Sequence, residues 1–323
     1  DGRGEVGDAV KAEGTAEYAH HIVLEGLRIY NHAPGQQIVG ISTKCPAWRW
    51  VIRGNHIDTA GTGLYLGNSD GNDPFVDGLI EYNVVLDTLG YNMQVKHQNP
   101  RPDVDGMPDA GETIIRHNVF SKANGANADS PRPNLLVGHF PTSGPGADDQ
   151  YLIYGNFFWQ NPVEGLFQGE GNVALYANVM VNRNGPAVRV QPHNDVPRRI
   201  HIFANTIVAS GRSIRVAGAD SSFEQIVAGN AVFAGRPIDG GEQRNNVVDT
   251  FGAAGDTLAR PDGAPGVDLD LHPASDALDI QMDTTEFESF LDWDRDFDGR
   301  VRDYTTAGAY SDSADNQSWQ LDR

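Results

Sequence analysis

Lysine, arginine and histidine side chains recur in this chain within or directly after the short apolar strands of a repeating pattern. Lys96, His97 and His139 stand at the ends of such strands. Arg189 and Arg215 lie within later ones. The whole chain holds 24 Lys and Arg against 44 Asp and Glu, a net charge of −20. A cationic stripe on so acidic a protein suits an extended anionic ligand such as a polyuronate. Ordinary surface ion pairs are the alternative explanation for each residue taken singly.

The overall composition bears on the partners of the chain. Because nucleic acids bind to basic surfaces, a net charge of −20 argues against nucleic acid as a partner. No apolar run is long enough to cross a membrane, so we expect no membrane partner. Cys45 is the single cysteine, which leaves no disulfide within the chain.

A repeated asparagine marks the elements that must position the basic residues. Eight asparagines each follow a short apolar strand, in segments such as WVIRGNHI, TIIRHNVF and VALYANVM. They are Asn31, Asn55, Asn83, Asn118, Asn156, Asn178, Asn205 and Asn230. A short period rich in β-branched residues is typical of a solenoid whose repeat is one turn of sheet. Asn tolerates left-handed backbone angles and bonds to nearby backbone, so stacked copies predict an Asn ladder.

A second short strand follows each Asn, as in TGLYLGNS, YNMQVKHQ and PAVRVQPH. Short strands that all run the same way predict an all-β, single-domain, right-handed parallel β-helix of about eight coils. Side chains alternate along a strand, and we take Leu64, Met93, Leu135 and Val188 as inward. The alternative is a propeller or sandwich of hairpins, which would need Asn-Gly or Asp-Gly turns that are rare here.

Extra length is confined to a few coils. The inserted segments are Asn68–Asp77, His97–Gly111, Lys122–Pro133 and Pro141–Gln150. All of them flank the second strand over three consecutive coils. Loops raised around one patch of a rigid scaffold form a groove, so we expect the functional site there.

The repeat decays towards the C-terminus, which divides the chain in two. Residues 1–235 are the expected β-helix, and residues 236–323 are an irregular segment that packs on the solenoid and caps it. Within this segment we predict one short helix, Thr284–Trp293, because TTEFESFLDW begins with a capping box.

Alternating carboxylates near the C-terminus suggest a cation site. Asp294, Asp296 and Asp298 precede Gly299, as in the first half of an EF-hand loop. The twelfth position counted from Asp294 is Thr305, where an EF-hand needs a bidentate Glu. A true EF-hand is therefore not expected, and a Ca²⁺-stabilised turn and a purely hydrogen-bonded turn both stay open.

The Asn-punctuated coils from about residue 19 to 235, with the closing DFDGRVRDYTTAGAY, resemble the right-handed parallel β-helix superfamily of secreted carbohydrate-active proteins. Pectate-lyase-like enzymes belong to this superfamily. The resemblance implies a polysaccharide lyase that removes the proton α to a uronate carboxyl and expels the 4-linked sugar. This chemistry needs a base, a cation on the carboxylate and a proton for the leaving oxygen.

The basic stripe offers a residue for each of these roles. Lys96 is the expected base, if neighbouring charge and burial lower its pKa. Arg189, with Ca²⁺ or Arg215, is expected to neutralise the carboxylate. His139, Tyr91 or Tyr65 would supply the acid. The expected substrate-binding residues are Tyr65, Asn68, Gln94, His97, Gln191, His193 and Arg215.

Two other functions stay open at this stage. A glycoside hydrolase would need paired carboxylates, for which the groove strands offer Glu164 and Glu170 and the inserted loop offers Asp103, Asp105 and Asp109. A carbohydrate-binding or adhesive solenoid would need no catalytic residues. For all three functions we expect a monomer, secreted or periplasmic. The opening DGRGEVGDAVKAEG reads like the middle of a coil, so we expect further residues upstream, an export signal among them.

Overall fold

Parallel strands dominate the computed structural model, which describes residues 1–3, 7–14 and 18–312. Three large sheets have eight, nine and nine strands, and every pairing within them is parallel. Each turn of the chain contributes one strand to each large sheet in succession. The prediction of an all-β chain built from stacked parallel sheets is confirmed, and the hairpin-based alternative is wrong.

We number the large sheets 1 to 3. Sheet 1 contains Val10–Glu13, Val39–Lys44, Thr62–Leu66, Met93–Val95, Leu135–Val137, Phe167–Gly169, Val188–Val190 and Ile214–Val216. Sheet 2 contains Val23–Glu25, Val51–Arg53, Leu79–Glu81, Glu112–Arg116, Gln150–Tyr154, Gly171–Tyr176, Pro197–Phe203, Gln225–Ala228 and Glu242–Arg244. Sheet 3 contains Arg28–Tyr30, His56–Asp58, Val84–Leu86, Val119–Ser121, Phe157–Trp159, Val179–Asn182, Thr206–Arg212, Ala231–Arg236 and Val247–Thr250.

The remaining elements are small. A three-stranded parallel sheet contains Ala19–His20, Ala47–Trp48 and Phe75–Val76, and an antiparallel pair contains Leu258–Arg260 and Asp270–Pro273. One short α-helix spans Ala254–Thr257, and two 3₁₀ turns span Phe251–Ala253 and Asp276–Leu278.

Aliphatic columns fill the interior of the solenoid. In sheet 2 the strand register stacks Ile52, Ile80, Ile115, Ile153, Leu175, Ile202 and Val227. All of these side chains are fully buried. β-Branched and other aliphatic side chains suit such strands, because each packs on the same kind of residue one coil above and below.

A chain of asparagine amides runs through the corner between sheets 2 and 3. The Nδ2 of each Asn donates to the Oδ1 of the Asn on the next coil at 2.9–3.0 Å, from Asn55 through Asn83, Asn118, Asn156, Asn178, Asn205 and Asn230 to Asn246. The same Oδ1 also accepts the backbone N–H of the preceding Asn, as Asn156 does for Asn118 at 2.9 Å. The residue before each of these asparagines, rather than the Asn, is left-handed, for example Tyr82 with φ 54° and Gly155 with φ 61°.

Two positions of the sequence-derived repeat need correction. Asn31 lies outside the chain of amides, because strand Arg28–Tyr30 pairs with His56–Asp58 and thus aligns Leu27 with Asn55. The backbone N–H of Leu27 accordingly donates to the Oδ1 of Asn55 at 2.9 Å. At the other end Asn246 continues the series, although no apolar strand precedes it.

The C-terminal segment also differs from expectation. The boundary at residue 235 falls inside strand Ala231–Arg236, and sheet 3 continues to Thr250. The helix expected over Thr284–Trp293 is wrong, because this stretch forms consecutive turns. Phe287 and Phe290 stack on Phe203 of sheet 2. Their ring centroids lie 4.2 and 5.8 Å, respectively, from that of Phe203. This packing overrides a helical preference that is marginal in so short a segment.

The amide chain predicts a large effect of a single substitution. Asn118→Ala removes a side chain that is 1% exposed and accepts from both the backbone N–H and the Nδ2 of Asn83. Since both donors are left unpaired in a dry interior, the free energy of unfolding should fall by about 2–4 kcal/mol. Urea denaturation followed by circular dichroism measures the change.

Asn31→Gly is the matched control, because Asn31 is exposed, lies outside the chain of amides and has a φ of 60° that Gly adopts freely. Its effect should stay below about 1 kcal/mol. Equal losses in the two variants would contradict a structural role for the amide chain.

Candidate functional site

The outward face of sheet 1 carries most of the residues that the sequence marks as candidates for catalysis and binding. Strand register aligns Tyr65 with Gln94, Gln94 with Leu136, and Leu136 with Gln168. It then aligns Gln168 with Arg189 and Arg189 with Arg215. One row of outward positions thus runs along the solenoid axis, and neighbouring members stand on neighbouring coils.

Lys96 directly follows the strand Met93–Val95 and continues its backbone pairing, with its N–H donating to the carbonyl of Leu66 at 2.8 Å. Its Nζ lies 5.7 Å from the centroid of the Tyr65 ring, and Lys44 lies 5.5 Å from the same centroid. Among the residues that the structure describes, no carboxylate oxygen lies within ion-pair distance of Lys96. Lys44 differs, since it pairs with Asp8 at 3.8 Å.

Burial and charge both act on the Lys96 ammonium. Burial lowers its pKa, and the nearby Arg132 guanidinium lowers it further, against an opposing effect of Glu170. Lys96 therefore loses its proton more easily than an exposed lysine, as a general base must. Nothing in the sequence pattern pointed to Arg132 as a cause of this shift.

Arg132 lies on the inserted segment 122–133 and faces Tyr91, with its guanidinium carbon 5.7 Å from the ring centroid. A buried lysine holds this arrangement. The Nζ of Lys122 donates to the carbonyl of Gly90 at 2.7 Å and to that of Arg132 at 3.0 Å. Burial, with a contribution from Arg132, lowers the pKa of Lys122 to about 8. Because Lys122 is fully buried, it acts through these hydrogen bonds, as a positioning residue for Tyr91 and Arg132.

The two tyrosines at this site keep their protons. Burial raises the pKa of Tyr91, although Arg132 opposes the rise. Burial also raises the pKa of Tyr65. A phenol with a raised pKa is a hydrogen-bond donor at neutral pH and can serve as a general acid.

His97 and His139 come together as the sequence suggested, with ring centroids 5.3 Å apart. Burial lowers the pKa of His97, and His139 and Lys96 lower it further. The Nδ1 of His139 lies 3.0 Å from the carbonyl oxygen of Phe140. The pair borders Lys96 at the downstream ends of the strands.

Glu170 has a structural role at this border. Its carboxylate is buried and accepts the backbone N–H of His193 at 2.9 Å, of Asn194 at 3.0 Å and of Asp195 at 3.1 Å. It also accepts the N–H of His139 at 3.3 Å. A carboxylate held by so many donors anchors the 193–195 turn to the coil below and is not available as a catalytic acid.

The other expected binding residues divide into two groups. Gln94 is buried in the outward row beside Tyr65, and Gln191 is half-buried two coils beyond Gly138. Asn68 is used inside its own loop, where its Nδ2 donates to Asp73 at 2.8 Å and its Oδ1 accepts the N–H of Ser69 at 2.8 Å. The side chain of His193 is exposed at the turn that Glu170 holds.

Arg189 lies away from Lys96, although the sequence suggests that both act on one substrate. The strand Phe167–Gly169 intervenes between Leu135–Val137 and Val188–Val190, so Arg189 is three strands beyond Gln94. Parallel strands lie about 4.8 Å apart, which separates these two positions by about 14 Å along the axis. Arg189 pairs with Glu164 at 3.4 Å and adjoins Arg215, whereas Arg132 approaches Lys96.

The three C-terminal carboxylates each have a partner within the protein. Asp296 is buried and accepts from the backbone N–H of Arg300 at 2.8 Å and from the Oγ of Ser311 at 2.6 Å. Asp294 pairs with Arg295 at 3.7 Å. No cluster of three or more His, Cys, Asp or Glu side chains that suits a metal ion occurs in the described part of the chain. The contacts of Asp296 are those of a hydrogen-bonded turn.

Asp298, the third of them, belongs to a buried ionic group. The Nε2 of His272 lies 3.0 Å from Asp298, and its Nδ1 lies 2.9 Å from Asp270. The His272 ring packs on Tyr310 at a centroid distance of 3.9 Å. Burial opposes the charged imidazole, but the two carboxylates outweigh it and raise the pKa of His272.

Comparison with known proteins adds no relative. No protein-family model matches the chain, and no curated protein or solved structure shows significant similarity to it. No helix in the described ranges is long and apolar enough to cross a membrane. We therefore infer the function from the residues of the site.

His272 gives a prediction for the pH dependence of stability. A pKa raised in the folded state contributes stability that is complete below the unfolded value of about 6.5 and is lost as pH rises through the folded pKa. Urea midpoints measured from pH 5 to 9 should therefore fall over this window in the wild type. The fall should be smaller in His272→Gln.

Asp298→Asn is the second variant, because it removes one of the carboxylates that raise the pKa of His272. Its loss of stability should begin near the same pH as in the wild type, because the unfolded pKa sets that point, but it should end at a lower pH and be smaller. An unchanged pH slope in both variants would contradict a charged His272.

Proposed function

We propose that this chain is a right-handed parallel β-helix of about eight coils, secreted or periplasmic, that cleaves an acidic, uronate-containing polysaccharide by β-elimination. The proposal depends above all on Lys96. This lysine is half-buried, its pKa is lowered, and no described carboxylate pairs with it. Its ammonium lies over the Tyr65 ring, and Arg132, which faces Tyr91, acts on its pKa. A lysine of this kind is suited to abstract a proton.

The proposed reaction assigns one step to each group. Neutral Lys96 takes the proton from the carbon α to the uronate carboxyl. Arg132 binds that carboxylate and stabilises the negative charge that develops on it. The bond from C4 to the glycosidic oxygen breaks as the double bond forms between C4 and C5, and Tyr91 or Tyr65 gives the leaving oxygen its proton. Proton and electron pair are thus both accounted for, without an added reactant.

The neighbouring residues suit a sugar chain. The Tyr65 ring and Gln94 are buried in the outward row beneath Lys96, and Gln168, which follows them along the axis, is half-buried. An amide group such as that of Gln168 can bond to sugar hydroxyls. His97 and His139 form the downstream border and are proposed as substrate contacts.

The arrangement of carboxylates disfavours a hydrolase. Glu170 is held by backbone N–H groups, and Glu164 pairs with Arg189. A glycoside hydrolase needs two carboxyl groups free to exchange protons or attack the sugar. A purely carbohydrate-binding solenoid would leave the lowered pKa of Lys96 without a use.

The direct test is to incubate the protein with alginate, pectate, glucuronan and glycosaminoglycans, with and without chelator. Ultraviolet absorbance of the unsaturated uronate reports elimination. New reducing ends without this absorbance would instead indicate hydrolysis and would overturn the proposal. Binding without either signal would favour the non-catalytic solenoid.

Substitution of the base gives a sharper prediction. Lys96→Ala should lower kcat by a factor of about 10² to 10⁴, because a positioned general base contributes that much. Lys44→Ala is the matched control, since Lys44 lies at nearly the same distance from the Tyr65 ring but pairs with Asp8. Its kcat should stay within about tenfold of the wild type. Comparable losses of kcat in the two variants would contradict the assignment of the base to Lys96.

The pH profile tests the role of Arg132 separately. In the wild type, kcat/KM should rise with pH as Lys96 deprotonates, with a midpoint below the usual lysine value because the pKa is lowered. Arg132→Gln removes one of the two causes of that lowering, so the midpoint should move to higher pH. Arg199→Gln, on sheet 2, should leave it in place. A midpoint that does not move in Arg132→Gln would contradict coupling between Arg132 and Lys96.

A further inference from the structure

A second group of cationic side chains lies along the face that carries Lys96, near the last strands of sheet 1. Four arginines line a cavity of about 440 Å³, namely Arg189, Arg212, Arg215 and Arg236. We call this feature the arginine cleft. Arg212 and Arg236 lie outside every role considered above.

Strand pairing brings the four residues together in two pairs. Arg189 is the register partner of Arg215 in sheet 1, and Arg212 is that of Arg236 in sheet 3. Partners on neighbouring parallel strands are about 4.8 Å apart, so the backbone fixes the spacing within each pair.

Two glycines line the cleft where the backbone packs closely. Gly211 and Gly235 line the same cavity and stand next to Arg212 and Arg236. A Cβ at Gly235 would lie 2.1 Å from the carbonyl oxygen of Ser210, and one at Gly211 would lie 2.6 Å from the carbonyl carbon of Gly185. Larger residues are thus excluded, and the cavity is lined by backbone between the guanidinium groups.

The charge of the cleft is only partly balanced. Asp239 pairs with Arg212 at 3.0 Å and with Arg215 at 3.9 Å, and Glu164 pairs with Arg189 at 3.4 Å. Arg236 is exposed and has no ion pair in the part of the chain that the structure describes. Four guanidinium groups therefore face two carboxylates, in a protein whose net charge is −20.

We propose that the arginine cleft binds a second acidic group of the polysaccharide, a carboxylate or a sulfate ester, on a sugar remote from the bond that is cut. This inference rests on the proposed function and extends it to the length of the substrate. Guanidinium groups bind planar or tetrahedral oxyanions through paired N–H donors, which favours this class of ligand over a neutral sugar.

The position of the cleft sets the length of ligand required. Arg189 and Arg215 stand three and four strands beyond Gln94 in the outward row, about 14 and 19 Å along the axis at the spacing of parallel strands. A single uronate cannot reach both Lys96 and the cleft. An oligosaccharide that lies along the solenoid can do so and bring remote binding energy to the reaction.

The test measures binding by calorimetry, in the Lys96→Ala background so that the ligand stays intact. The probes are oligogalacturonates for carboxylates, sulfated dextran oligosaccharides for sulfate esters and unmodified dextran oligosaccharides as the neutral control, each at disaccharide and octasaccharide length. We expect the Arg212→Gln/Arg236→Gln double variant to bind at least one acidic octasaccharide about tenfold more weakly or worse. Binding of the matching disaccharide should not change.

Arg199→Gln is the matched control, since Arg199 is a comparably exposed arginine that pairs with Asp148 at 2.9 Å on sheet 2. It should bind every probe as the parent does. The single variant Arg236→Gln guards against misfolding, because Arg236 is exposed and takes part in no described ion pair. It should weaken octasaccharide binding in the same direction.

The outcomes separate this inference from the proposed function. Octasaccharide binding that is unchanged in the double variant, or weakened equally for octasaccharide and disaccharide, would overturn the cleft. Cleft-dependent binding without elimination by the wild type would support the cleft and overturn the lyase. Elimination by the wild type, with octasaccharide binding insensitive to Arg212 and Arg236, would support the lyase and overturn the cleft alone.

Discussion

The hydrogen bonds between stacked asparagine amides are the constraint on which the rest of the fold depends. A primary amide buried between two sheets needs partners for two donors and one acceptor. Asn178 shows how the stack meets this need. Its Nδ2 donates to the carbonyls of Ile153 and Tyr176 and to Asn205, while its Oδ1 accepts from the backbone and side chain of Asn156. Each amide is satisfied only if the next coil stands one strand spacing away, so the amides fix the stacking of sheets 2 and 3 where these meet.

This dependence explains what the sequence could reveal about the fold. The asparagines are visible because no other residue places an amide donor and acceptor in the same short side chain at a buried corner. Their spacing therefore predicted parallel coils. Asn31 was misassigned because it also follows a strand and is left-handed. That strand belongs to sheet 3, one strand later in the coil than the strands that precede the other asparagines. Asn31 therefore aligns with Thr59, which has a φ of 56°. Asn246 was missed because the exposed strand Glu242–Arg244 gives no apolar signal.

The candidate site was predictable to the extent that it follows the coils. Tyr65, Gln94 and Lys96 take their places from strand register, which a count of residues can reproduce. Arg132 lies on an inserted segment, and its position depends on hydrogen bonds from Lys122 and Asn161 to its carbonyl. No spacing rule encodes such contacts. Arg189 was assigned to the same reaction as Lys96 from its charge and its place in the outward row, although two strands stand between its strand and that of Gln94.

The proposed chemistry lies where the repeat is interrupted. Gly67 and Gly138 flank Lys96 in the row that runs from Glu13 through Lys44, so its nearest neighbours on either side have no side chain. A Cβ at Gly138 would lie 2.3 Å from the backbone nitrogen of His97, and one at Gly67 would lie 3.2 Å from the Cβ of Lys96. These glycines let Lys96 lean over the Tyr65 ring and let His97 approach His139. Regular stacking thus supplies rigidity and axial spacing, and the missing side chains supply the room in which one lysine can lose its proton.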